Sequence, residues 1–277
     1  FNKNVITVKD FGNVNTDALR SIITDLRKSI IRIFVYTHIL DQFIQYIHPV
    51  ISQVQDVKYI YYIHNSDHHF EDKHTQLVQD STTFCVYSQN INTQPTPKLK
   101  LLPIGLANSM FPHGDVLTLY KTMCKTYINK KTNNLFISFV GRMTHQSRRP
   151  LQDTLTDNKG FKLQQSMSFQ EYLTTLSTHY FALCPRGNGT DTHRFWESLY
   201  LGTIPVVIKT KDINNDHFIE TLERENIPHY TVTNLDFFKT TTDDYFNRDL
   251  YDAILKKVGV CSLQNGVQGL KLSGYRA

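Results

Sequence analysis

The chain has 277 residues, 40% hydrophobic and 12% aromatic, enough to bury a core and to exclude a disordered polymer. A net charge of +5, from 30 Lys and Arg against 25 Asp and Glu, suits an anionic ligand such as a nucleotide diphosphate, but the basic residues form no dense stripe with interleaved aromatics, so nucleic acid is not an expected partner. Cys85, Cys124, Cys184 and Cys261 form no CxxC pair, which argues against a zinc site or disulfide framework, and no apolar run approaches the ~18 residues of a membrane helix, so no membrane is expected.

In chain order, strand-like runs fall at 31–36, 57–63, 83–87 and 100–104, with amphipathic stretches at 17–29 and 41–52. A polar, lysine-containing stretch at 125–134 reads as a linker. Beyond it come strand-like runs at 135–140, 179–184, 204–208 and 229–233, and helical patterns at 169–178, 192–201, 216–225 and 242–258. Such alternation predicts parallel sheets covered by helices, an α/β fold. The expected division is 1–125, 126–245 and a helical tail at 246–277. Ligands of open α/β sheets gather beyond the carboxyl ends of the strands, so the loops following the strands are where chemistry is expected.

The richest of these is PRGNGTDTHRFWESLYLG, between the runs HYFALC and TIPVVI. Pro185, Gly187 and Gly189 stop the strand, Asp191 or Thr192 can cap a helix, and Gly202 can end it. A glycine-rich loop feeding a helix presents backbone N–H groups to an anion, and Arg186 and Arg194 add planar guanidinium forks suited to phosphate. Glu197 is placed to accept from ribose hydroxyls. The expected donor-binding set is therefore Arg186, Gly187, Asn188, Gly189, Thr190, Asp191, Thr192, Arg194 and Glu197. No GK[ST] follows the glycines, which disfavours ATP hydrolysis. A second basic loop, GRMTHQSRRP, follows LFISFV. Of its arginines, Arg142 is the first choice for the same diphosphate and Arg149 the second, with Arg148 adding charge.

The segment PRGNGTDTHRFWESLYLGTIPVV resembles the signature of the exostosin-like glycosyltransferases, and IHNSD, VYSQN and KLLPIGLANSMFPHG upstream are similar to the N-terminal half of small members. The likeness spans roughly residues 59–209. It implies a GT-B fold, two Rossmann-like domains facing each other across a cleft, the donor in the C-terminal domain and the final helix crossing back to the first. It further implies transfer of a sugar from a UDP-sugar to a hydroxyl of a glycan acceptor. UDP-xylose is the best guess, because the chain is small and aromatic-rich like pentosyl-transferring branches. No cofactor or metal is expected, the arginines standing where Mg²⁺ would otherwise act.

Inverting transfer needs a base on the acceptor side. Asp67, in HNSDHHF beyond the run VKYIYYI, is the choice, with His69 second. The competing reading of His64, Asp67, His68 and His69 is the metal site of a hydrolase, though no HExxH-like spacing supports it. Asp243 and Asp244 read as a helix start rather than a metal-binding pair. The loop at 88–93 offers amide and hydroxyl groups suited to sugar hydroxyls. In the loop at 103–114, with Asn108 and Met110, Phe111 reads equally as a stacking face for a pyranose or as core, and His113 as an ordinary loop histidine. A non-catalytic nucleotide-sugar or glycan-binding protein is the other alternative. Asn188-Gly189-Thr190 is a glycosylation sequon inside the expected diphosphate turn, which favours the cytosol. The Golgi lumen, behind an anchor upstream of Phe1, is the alternative.

Overall fold

The structure, a computed structural model, describes residues 5–8, 15–26, 29–94, 96–126, 130–139, 144–211 and 213–259. It is a mixed α/β architecture of two compact units, Phe1–Pro103 with Asp212–His217, and Ile104–Lys211 with Phe218–Ala277.

The first unit carries β1 (Val5–Val8), β2 (Ile30–Tyr36), β3 (Lys58–His64), β4 (Phe70–Glu71), β5 (Thr83–Ser88), β6 (Ile91–Asn92) and β7 (Leu99–Leu101). Its main sheet has the order β1-β2-β3-β5-β7 and is parallel throughout, with β4 and β6 as a separate pair. Alternation sets the faces: Ile31, Ile33 and Val35 of β2 are fully buried, as are Tyr59, Tyr61 and Ile63 of β3. The two buried tyrosines keep their hydroxyls satisfied, Tyr59 donating to the Ile51 carbonyl at 2.7 Å and Tyr61 paired with His48 Nδ1 at 2.9 Å. Among the described strands this sheet grows in one direction only, without the reversal of order that creates a Rossmann crevice.

The second unit holds β8 (Asn133–Ser138), β9 (Leu163–Gln164), β10 (His179–Leu183), β11 (Ile204–Ile208) and β12 (Tyr230–Val232), in the order β12-β11-β10-β8-β9 and all parallel. Both faces are covered, so the central strands are continuously apolar: Leu135, Phe136 and Ile137 of β8 and Phe181, Ala182 and Leu183 of β10 are all buried. Here the order does reverse. The chain starts at β8, places β9 on one side and then returns to place β10 on the other, which makes the carboxyl ends of β8 and β10 a topological switch point.

Helices brace this sheet for reasons written locally. The helix Phe169–Ser177 opens with a capping box, Ser168 Oγ accepting from Glu171 N while the Glu171 carboxylate accepts from Ser168 N at 2.9 Å. The helix His193–Tyr200 buries Phe195, Trp196 and Leu199 and ends at Gly202, whose φ of 69° is the left-handed cap conformation.

Three expectations need correcting. The helix Val116–Thr126, expected with the N-terminal half, packs in the second unit, where Gln170 Nε2 donates to Thr122 Oγ1 at 3.1 Å. The tail helix Arg248–Lys257 lies on the second sheet: Tyr251 packs on Phe181 and donates to the Gly202 carbonyl at 2.8 Å, and each such aromatic burial stabilises by about 1.5–3 kcal/mol. The expected linker contains a pin. Lys131 Nζ donates to the carbonyls of Ser177, His179 and Leu201 and to Thr203 Oγ1, at 2.9 to 3.4 Å, and burial pushes its ammonium down to about 7.

Candidate functional site

A cavity of about 580 Å³ opens at the switch point of the second unit. Ser138 at the end of β8 and Pro185 just beyond β10 form part of its wall. Arg148, Arg194, Glu197, Tyr172 and His113 turn their side chains to it, with Met167 and Phe169 supplying apolar surface.

Each polar group is held by the strand ends or by a neighbour. Arg194, in the first turn of its helix, donates from Nη1 to the carbonyls of Ser138 (2.7 Å) and Leu183 (3.2 Å), the last residues of β8 and β10. Its guanidinium lies over the rings of Phe136 and Tyr172, at 6.0 and 5.8 Å from their centroids. Arg148 opens the helix Arg148–Asp157 between β8 and β9: Nε donates to the Arg186 carbonyl at 2.7 Å and Nη2 to the Pro185 carbonyl at 3.2 Å. Burial, and then the positive charge of Arg194, lower the pKa of Arg148, which is the electrostatic signature of two guanidiniums in one enclosure.

The carboxylate on the same wall is Glu197, 4% exposed. Tyr172 donates its hydroxyl to Glu197 Oε2 at 2.7 Å. Burial holds the Glu197 carboxyl above the usual range, against the opposing pull of the Tyr172 bond and of Arg194 and His113. The wall thus offers two cations to one buried carboxylate, a balance that favours an anion.

The loop between Pro185 and the helix is folded on itself, Gly187 N donating to the Gly189 carbonyl at 3.0 Å. A methyl on Gly187 would come 3.2 Å from Thr144 Oγ1 and 3.9 Å from Arg148 Nη2, so the absent side chain lets the loop lie against the cavity wall. Of the predicted donor set, Thr192, Arg194 and Glu197 line the cavity, while Arg186, Gly187, Asn188, Gly189, Thr190 and Asp191 do not.

Asp191 has another task. Buried at 5% exposure, it accepts from Ile104 N (2.7 Å) and from Trp196 Nε1 (2.8 Å), tying the loop to the segment after β7. Burial pushes its carboxyl up to about 7. Neither Asp191 nor Thr192 caps the helix through a side-chain bond; Thr192 takes the cap position with its carbonyl accepting from Phe195 N.

The second basic loop meets the cavity through a different arginine. Arg142 lies outside the described residues, and Arg149 is exposed on the helix Arg148–Asp157, whereas its neighbour Arg148 enters the cavity. One step along a helix turns a side chain by about 100°, so adjacent arginines cannot share a face. His113, expected as an ordinary loop histidine, lines the cavity, stacked on Phe111 with ring centroids 5.5 Å apart. Its place in a strand-end loop was the available signal.

Asp67 and His69 belong to the first unit, in the loop that follows β3, and neither is among the residues lining this cavity. Asp67 is exposed and His69 half-buried. His64 is engaged by Asn65 Oδ1 at 2.7 Å, and no group of three or more His, Cys, Asp or Glu side chains among the described residues is arranged to hold a metal ion.

No protein-family model matches the chain, and no curated protein matches it at a significant level. Among solved structures it is similar to spinosyn forosaminyltransferase SpnP, with 7% identity and a TM-score of 0.40 over 88% of this chain and 74% of that one. A likeness of that order establishes neither family nor activity. What the cavity can do follows from its own groups: enclose an anion between Arg148 and Arg194, and take hydroxyl donors on Glu197.

Proposed function

We propose that the protein is an inverting, metal-independent glycosyltransferase that moves a sugar from a UDP-sugar, with UDP-xylose the first candidate, to a hydroxyl of a glycan acceptor. The observation that carries this reading is the pairing of Arg148 and Arg194 around one cavity at the β8–β10 switch point, with buried Glu197 on the same wall. Fixed cations there suit a diphosphate and the charge that grows on it as the glycosidic bond breaks. Glu197 would receive ribose hydroxyls, a role that its buried, acceptor-only carboxylate supports.

In the reaction the acceptor oxygen forms a bond to the anomeric carbon, the bond from that carbon to the phosphate oxygen breaks, and UDP leaves with its electron pair. The acceptor proton passes to a base, for which Asp67, with His69 as second choice, is the proposal. The two arginines supply the charge that a divalent ion supplies elsewhere, so turnover is expected in EDTA.

Incubation with a panel of UDP-sugars and mixed oligosaccharides tests this. The expected result is transfer that persists in EDTA, with inverted anomeric configuration, and that falls at least 100-fold in Asp67→Asn. A strict requirement for Mg²⁺ or Mn²⁺, or retention of configuration, would refute the scheme.

A further inference from the structure

The segment between β7 and the helix Val116–Thr126 holds an apolar ring out into water in a way the fold itself does not require. Met110 is 81% exposed and Phe111 48%, and they stand beside Pro112 and His113, which line the cavity. The segment is nevertheless tightly built. Phe111 N donates to the Asn108 carbonyl at 3.0 Å and Gly114 N to the Phe111 carbonyl at 2.8 Å. A methyl on Gly114 would collide with the Asn108 carbonyl oxygen, so only glycine closes this turn. Asp115 then fixes the following helix by accepting from Leu117 N, Thr118 N and the Thr118 hydroxyl at 2.6 to 3.1 Å.

Phe111 lies nearly parallel to His113, at 16° and 5.5 Å, and His113 in turn approaches His193 at 6.2 Å. The result is an apolar ring face stacked on the imidazole of His113, which itself lines the cavity. His193 is held in place by the Gly105 carbonyl, 2.9 Å from Nδ1. An exposed aromatic face on a rigid support, rimmed by polar groups, is a recognition surface rather than a packing surface.

We infer that Phe111, supported by His113, is a stacking platform for a pyranose ring of the acceptor. A pyranose presents an apolar C–H face for the phenyl ring and hydroxyls for the imidazoles. Its place at the rim, contiguous with the wall that includes His113, sets an incoming hydroxyl beside the cavity in which the donor is proposed to bind. This assignment to the acceptor rests on the glycosyltransferase reading, but the stacking itself does not.

Saturation-transfer NMR with methyl β-D-xylopyranoside, methyl β-D-glucopyranoside and methyl β-D-galactopyranoside, each with and without UDP, tests it. The expected result is saturation of ring C–H protons of at least one glycoside by the wild type, a drop of at least fivefold in Phe111→Ala, and recovery in Phe111→Trp. Thermal stabilisation by UDP should be unchanged in Phe111→Ala, which shows that the variant is folded. Saturation of none of the three by the wild type, or equal saturation by Phe111→Ala, would overturn the platform. A platform that survives while UDP gives no stabilisation of the wild type would instead overturn the glycosyltransferase reading alone.

Discussion

Arg194 reaches Ser138: its Nη1 donates to the Ser138 carbonyl at 2.7 Å and, in the same grip, to Leu183 at 3.2 Å. One guanidinium therefore joins the ends of the two strands whose divergence makes the cavity, and presents its charge to that cavity. Lysine is a single flexible point charge and cannot do both. Arg194→Lys should retain the fold but bind UDP at least tenfold more weakly, by calorimetric titration. Equal affinity would show that Arg194 serves the strand ends alone.

Tyr172 and Glu197 give a pH prediction. The Tyr172 hydroxyl stabilises the Glu197 carboxylate, which burial already pushes toward the protonated form. Removing that donor in Tyr172→Phe should raise the Glu197 pKa further. The acid limb of a UDP-binding profile should then move to higher pH, with a stability loss of about 1 kcal/mol. Superimposable profiles would argue that Glu197 does not receive the ligand as a carboxylate.

Asp191 predicts a slope in stability. Its carboxyl is pushed from 3.8 up to about 7 in the folded state, so between these values the folded chain holds a proton the unfolded chain has released. Its contribution is full below about pH 4 and is lost as the pH rises toward 7, by up to about 1.4 kcal/mol per pH unit. Asp191→Asn should remove this slope. In urea unfolding from pH 4 to 7 the wild type should lose stability relative to Asp191→Asn as the pH rises; a constant offset, or a relative gain, would contradict the assignment.

Lys131 tests the expected linker. Its amine serves three carbonyls and one hydroxyl around the starts of β8 and β10 and the end of the helix His193–Tyr200. Lys131→Met should cost about 1–3 kcal/mol in unfolding free energy by leaving these acceptors unpaired. A change within a few tenths would return the segment to the status of a tether.

Much of this was legible in the sequence because it was written in local chemistry. The strands Ile30–Tyr36, Lys58–His64 and Ile204–Ile208 show themselves by β-branched and aromatic runs, and Gly202 ends its helix as its residue type demands. The short strands β4, β6 and β9, two residues each, have no periodicity to detect. The site was half legible. Arg194 and Glu197 lie three apart on one helix face and reach the cavity together, as the loop-to-helix pattern implied. Arg148 and Arg149 could not be separated without knowing where their helix starts. Asp191 looked like a ligand group because its partners, Ile104 and Trp196, are distant in sequence or hidden by helical register. His113 stands in a loop beyond β7, which marks it as a candidate, but only the tertiary fold brings that loop to the cavity.

Arg148 and Arg194 are proposed to make the second unit a nucleotide-diphosphate site. The most direct measurement is thermal unfolding of the wild type and of Arg194→Ala across UDP, other nucleoside diphosphates and UDP-sugars, with and without EDTA. UDP at about 100 times its dissociation constant should stabilise the wild type by about 2.7 kcal/mol, with EDTA making no difference, and Arg194→Ala should show no shift. No shift of the wild type with any nucleotide, or an equal shift in Arg194→Ala, would contradict it.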